Sequence, residues 1–212
     1  MCLKVLSQSY MITYEQFGFN PNEKRAMPFT FNRDSIYDYP EKIVIKLLFN
    51  DSIGFSAICD KNKTAIDMYE KVGKKRIQSH TSFTISRNNI FYNVRYWPQH
   101  VKKDFFVLDT LSQKKWQHDS SNGYSLFNYS CSVAYSVSAE GDTTFVYYTK
   151  ELPGKFGPLY LKGAPGIILG TFEQWGSRSF IATNIEKINY EMKLPGDKIV
   201  LTRKEYENRK NE

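Results

Sequence analysis

Between Glu151 and Gly170 the chain carries three prolines, Pro153, Pro158 and Pro165, among five glycines, Gly154, Gly157, Gly163, Gly166 and Gly170. Each proline fixes one backbone angle and removes one donor, so the stretch is neither helix interior nor central strand. Gly154 and Gly166 directly follow prolines, the arrangement a type II turn requires. Leu159, Leu161, Ile167, Ile168 and Leu169 surround these breakers. A turn this apolar is not an ordinary solvated loop. It is expected to fold back as a rigid corner against a sheet and to launch a strand over Gly166–Phe172. The glycines form neither GxGxxG nor a Walker-type loop, so no phosphate cradle is present.

The rest of the chain reads as short strands. Tyr and Phe number 15 each, and aromatic side chains suit pleated surfaces. The strands expected in the first half are Ser9–Phe17, Phe29–Phe31, Lys42–Asn50, Ile53–Cys59, Arg76–Ser86 and Ile90–Trp97. Ala65, Met68, Tyr69 and Val72 stand at helical spacing, with Gly73 as a stop. Arg87-Asn88-Asn89 is a turn, because Asn tolerates left-handed backbone. The second half predicts strands at Asp104–Asp109, Lys114–Asp119, Tyr124–Ser138, Thr143–Lys150 and Phe180–Met192. Ser120-Ser121-Asn122-Gly123 is the strongest hairpin signal, since Asn-Gly suits a type I′ turn, and Ala139–Asp142 makes a second. Thr202 and Glu205 match a capping box that opens a C-terminal helix docked by Tyr206. The expected fold is mainly β: a single curved antiparallel sheet or half-open barrel with one or two short helices.

The chemistry is sparse. The net charge of +7 is scattered over lysines, and no nucleic-acid motif accompanies it. His80, His100 and His118 form no paired metal spacing, although His80 and His118 plus a carboxylate are geometrically compatible with a metal. No Ser occupies a G-x-S-x-G elbow, and Cys131 lies in no protease signature. Acids such as Asp60, Asp67, Glu140 and Asp142 fall in turns or polar stretches. No catalytic residue, cofactor or metal is expected. Cys59 and Cys131 read as small buried hydrophobes, with a disulfide between them as the alternative in an exported chain. No apolar run is long enough for a transmembrane helix. Residues 1–9 look like the tail of a signal peptide cut near Gln8, and residues 10–212 form one domain.

The corner also carries a resemblance. Gly163-Ala164-Pro165-Gly166-Ile167-Ile168 resembles the Gly-Leu-Pro-Gly-Leu-Ile signature of the GLPGLI family, with Ala at the second position and Ile at the fifth. Trp116, Gly123-Tyr124, Tyr129–Ala134, Tyr147–Thr149, Leu152-Pro153, Gly157-Pro158 and Leu201–Tyr206 stand in the family's order. The match covers roughly residues 104–206. The resemblance implies an exported protein of the Bacteroidetes envelope: periplasmic, outer-membrane-associated or extracellular. It implies no particular reaction. Its β-rich pattern is similar to that of periplasmic lipoprotein carriers, which curl one sheet around a helix to make an apolar cavity.

The expected function is a non-catalytic binding or carrier-like module for an apolar ligand, such as a lipid, or an envelope protein. The alternatives are a structural envelope protein that pairs through edge strands and, more remotely, a hydrolase or metal-binding protein. The candidate contact surface comprises Trp116, Tyr124, Phe127, Tyr147 and Tyr160, with Pro165 and Gly166 shaping its rim.

Overall fold

The computed structural model describes residues 8–19, 36–37, 43–59, 65–70, 81–88, 90–97, 105–110, 114–173, 179–193 and 199–210. The strand expected at Phe29–Phe31, the helical position Val72, and His80 and His100 lie outside them.

The elements run β1 (Ser9–Phe19), β2 (Ile36–Tyr37), β3 (Val44–Phe49), β4 (Ile53–Ile58), α1 (Ala65–Glu70), β5 (Thr81–Arg87), β6 (Ile90–Trp97) and β7 (Phe105–Thr110). They continue with β8 (Gln117–Leu126), β9 (Tyr129–Val137), β10 (Thr143–Thr149), β11 (Ile167–Glu173), β12 (Ser179–Ile188), β13 (Ile199–Thr202) and α2 (Arg203–Lys210). One open sheet holds all the strands, in the order β13-β7-β6-β5-β4-β3-β1-β12-β11-β10-β9-β8, with β2 beside β1. Consecutive hairpins build each half. The seam between the halves is β1, whose Ser9 faces Ile188 of β12 and whose Tyr10 faces Phe49 of β3.

The sheet is not antiparallel throughout. β13 runs parallel to β7, with Ile199 opposite Phe105. It reaches that edge after the whole second half of the chain, so no hairpin dictates its direction. The capping box forms as expected. The Glu205 carboxylate accepts from the Thr202 N–H at 2.7 Å, and the Thr202 hydroxyl accepts from the Glu205 N–H at 3.3 Å. Tyr206 is buried with Val107 and Leu201.

The two sheet faces are covered differently. On the outer face of the first half, Phe55, Phe83, Val94 and Phe106 form a core with Ala65 and Tyr69 of α1. Met192 joins that core, because β12 ends at Ile188 and the chain leaves the sheet before it. On the inner face lies the Gly/Pro segment. Its Leu152 and Phe156 pack with Ile12, Tyr14, Ile45, Leu47 and Phe91, and its Leu161 and Ala164 pack with Ala134, Val146 and Tyr148.

The sheet curls around this segment. β6 and β8 stand third and twelfth in the strand order, nine spacings of about 4.8 Å, or roughly 43 Å if flat. Yet a Cβ at Gly163 would stand 3.7 Å from Phe91 of β6 and 3.9 Å from Trp116, the residue preceding β8. Only a strongly rolled sheet brings both to one point. In the lipoprotein carriers a helix occupies that position; here the occupant is the chain's own corner, and α1 lies on the other face.

The expected Asn122-Gly123 hairpin does not form. β8 continues through it, with Asp119 opposite Val133 and Tyr124 opposite Cys131, so four residues bulge against one. The chain turns instead at Phe127-Asn128, with φ of 52° and 65°, and the expected strand Tyr124–Ser138 is thereby divided between β8 and β9. The reason lies in β10, which ends at Thr149. A turn at Asn122-Gly123 would send Tyr124–Leu126 beyond the end of β10, without a partner strand on that side. Turning later folds Tyr124 and Leu126 back over the buried clusters.

Two close contacts fix the corner. A Cβ at Gly166 would stand 2.0 Å from the Thr149 carbonyl oxygen. The Tyr14 hydroxyl, fully buried, donates to the Ile168 carbonyl at 2.6 Å, beside the irregularity where β11 slips against β10. Burial holds the Tyr14 hydroxyl far above its ordinary pKa, so it stays a donor. Gly166→Ala is expected to lower stability by about 3 kcal/mol, read as a reduced urea midpoint. Tyr14→Phe leaves a buried carbonyl without its donor, and its expected cost in the same measurement is about 1–3 kcal/mol.

Candidate partner-binding surface

The corner is tied to the sheet by backbone. Ile168 N–H donates to the Phe156 carbonyl at 2.9 Å, and Gly163 N–H to the Lys155 carbonyl at 3.0 Å. Leu161 N–H closes a turn onto the Pro158 carbonyl at 3.1 Å, and Leu159 N–H donates to the Ser56 hydroxyl at 2.8 Å. Between corner and sheet a cleft lined by Leu47, Ser56, Ser82, Thr84, Phe156 and Leu159 leaves about 10 Å³, room for roughly one water.

The sequence-selected aromatics do not converge on one site. Tyr147 is buried in an outer-face row in which Phe17 meets Phe172 at 5.2 Å, Phe172 meets Tyr147 at 5.3 Å and Tyr147 meets Tyr124 at 5.1 Å, all edge to face. These rings hold β1, β11, β10 and β8 together. Gly166, Ile167 and Ile168 are buried, as are Gly157, Pro158 and Ala164, while Pro165 and Gly163 are half-buried. These motif residues are therefore mostly packing. Trp116 is half-buried, and its indole N–H donates to the Lys162 carbonyl at 3.1 Å. Tyr160 and Phe127 are exposed, at 44% and 46%.

Trp116 belongs to a polar edge. The Lys114 ammonium sits 5.9 Å above its ring and donates to the Thr144 hydroxyl at 3.2 Å. His118 Nδ1 lies 3.1 Å from the Tyr148 hydroxyl. Burial pushes the Lys162 ammonium down to about 8. This group of side chains forms no motif in the sequence, because Trp116, Tyr148 and Lys162 are distant along the chain.

Two features of reactive centres are absent from the described residues. Cys59 and Cys131 are not joined in a disulfide and lie in different clusters. Burial pushes the Cys131 thiol up to about 11, partly opposed by the Leu126 backbone and assisted by Glu151, so it is not an activated nucleophile. Among the described residues, no three His, Cys, Asp or Glu side chains gather as metal ligands, and no helix is long and apolar enough to cross a membrane.

The β8 edge has a distinct chemistry. β8 is ten residues long, Gln-His-Asp-Ser-Ser-Asn-Gly-Tyr-Ser-Leu, and terminates the sheet. It contains no Lys, Arg or Pro, the residues that usually guard an edge. The opposite edge, β13, has four residues and runs straight into the charged α2. At the end of β8, Phe127 holds a left-handed backbone angle that costs an aromatic residue about 1–2 kcal/mol.

No protein-family model matches the chain, and no curated protein matches it. Solved structures do. PNGF-II in space group C2 is similar at a TM-score of 0.59 and 17% identity, over 97% of this chain and 33% of that one. PNGF-II in space group P21 gives 0.59 and 18%, over 95% and 33%. The chain thus spans about a third of the length of PNGF-II, and at this identity the likeness is one of fold. An uncharacterized conserved protein from Thermus thermophilus aligns over 93% of this chain and 92% of its own at 12% identity, with a TM-score of 0.35, too low to carry an argument.

Lys162 gives a measurable consequence. Its folded pKa of about 8 lies below the ordinary 10.5. Between those values the unfolded chain binds a proton that the folded chain lacks, so stability rises with pH across that window. Wild type is expected to gain stability from pH 8 to pH 10 relative to Lys162→Met, measured by urea unfolding of both. Parallel curves would remove Lys162 from the account.

Proposed function

We propose that this chain is an exported, non-catalytic binding module related to the GLPGLI family, acting in the periplasm, at the outer membrane or outside the cell. Its contact surface is the β8 edge with the aromatic side chains beside it, and its ligand is a protein of the envelope. The observation that carries this reading is the edge itself: ten residues without a lysine, arginine or proline, paired with β9 on one side and, among the described residues, with no strand on the other, in two stretches either side of the 120–123 bulge. Such an edge accepts an extended segment of a partner by strand addition, with backbone hydrogen bonds for affinity and alternate side chains for selectivity.

An apolar ligand is the other occupant a module of this kind could take. The packing of Leu152, Phe156, Leu161 and Ala164 against the inner face supports the partner, and the cleft between Phe156, Leu159 and the sheet leaves about 10 Å³. The likeness to one third of PNGF-II supports the modular part of the reading, since the same architecture there is a portion of a longer chain. The family part rests on the motif over residues 163–168 and its flanks.

Site-specific photo-cross-linking tests the reading. A benzophenone amino acid in place of Ser125, exposed on β8, is expected to yield one discrete adduct in intact cells. The same probe in place of Lys187, exposed on the central strand β12, is expected to yield none. Equal labelling from both positions would remove the edge as the binding surface. Native mass spectrometry that recovers a bound lipid would return the apolar ligand to first place.

A further inference from the structure

Phe127 is the only aromatic residue among those described that is held at positive φ. It occupies the first central position of a two-residue turn between Leu126 and Tyr129, which face each other across the ladder. Both central positions of such a turn favour Asn, Asp or Gly. Asn128 meets that demand at φ 65° and Phe127, at φ 52°, does not. Packing compensates for the strain only in part, because the residue is 46% exposed.

The turn is nonetheless firmly held. Leu126 and Tyr129 are half-buried on either side, and the Glu151 carboxylate accepts from the Ser130 N–H at 2.7 Å. The neighbouring hairpin residues Ser125, Asn128 and Ser130 are polar and exposed. One exposed aromatic on a rigid support among polar neighbours has the anatomy of an interface anchor. Strain kept at an exposed position points the same way, since such strain gathers at binding sites.

We propose that Phe127 is the anchor that enters an apolar pocket of a protein partner bound along β8. This deepens the edge reading given above and rests on it. A protein pocket fits better than a bilayer. A single ring gives only marginal membrane affinity without a basic patch, and here the charged group that touches the hairpin is the Glu151 carboxylate, on the Ser130 N–H, which an anionic bilayer repels.

Two measurements test the anchor. In the purified full chain, Phe127→Gly removes the strained side chain and is expected to raise Tm by about 2–4 °C. In cells, the same substitution is expected to cut the adduct from the Ser125 probe at least tenfold, while a benzophenone probe at position 127 itself yields an adduct to the same protein. A lower Tm overturns the proposal, since the ring would then be supporting its own fold. An unchanged Ser125 adduct in Phe127→Gly overturns it while leaving the edge reading intact. An adduct at position 127 without one at Ser125 overturns the edge reading and, with it, the placing of the anchored partner along β8, and no adduct from either position overturns both. Phe127-dependent flotation with phosphatidylglycerol–phosphatidylethanolamine vesicles replaces the protein pocket with a bilayer.

Discussion

The structure depends on the packing of Phe156 against a gap in the sheet. A Cβ at Gly54 would stand 2.6 Å from the Phe156 ring, so β4 has no side chain where the ring lies. Phe156 also meets Phe91 of β6 edge to face at 6.1 Å. One ring thus reaches both β4 and β6, two positions apart in the sheet order. With Leu152, Leu161 and Ala164 it supplies the apolar volume around which the sheet rolls. Without that filling, Ile12, Leu47 and Phe91 would line an empty trough, and tightly packed interiors do not leave such voids.

The roll then explains the special features of the corner. Prolines and glycines are needed because the segment must pass from β10 to β11 through a closely packed interior. Gly166 passes against the backbone of β10, where no side chain fits. Tyr14 supplies the hydrogen bond for the Ile168 carbonyl, so the irregularity between β10 and β11 leaves that buried acceptor satisfied. Sequence motif and core are in this sense one object. The residues that mark the chain most strongly are those that hold its fold, and the exposed side chains that could meet a partner lie beside them.

Much of this is legible in the sequence. Alternation and turn residues locate Ser9–Phe17, Ile53–Cys59 and Thr143–Lys150 to within a few residues, and the Thr202–Glu205 capping box locates α2. Local chemistry alone decides those elements. The Asn122-Gly123 turn fails because its local preference loses to the length of β10, a property of another strand. Parallel pairing of β13 is invisible for the same reason. For the contact surface, the sequence offers Trp116, which is half-buried, and Phe127 and Tyr160, which are exposed. It also offers Tyr147, which packing consumes, since spacing does not tell which face of a strand is already covered. The absence of lysine from β8 is plain in the sequence, but it acquires meaning only once β8 is known to be an edge.

The position of β1 has a kinetic consequence. This strand stands at the seam of the sheet, yet one neighbour, β3, follows it closely while the other, β12, is among the last elements to be synthesised. As the chain emerges, one side of β1 remains unpaired until Ser9 can meet Ile188. Contacts between such distant residues slow folding, and the two halves join only when nearly the whole chain is present. Until then the nascent chain offers an open apolar seam, which a chaperone would meet as an extended polypeptide.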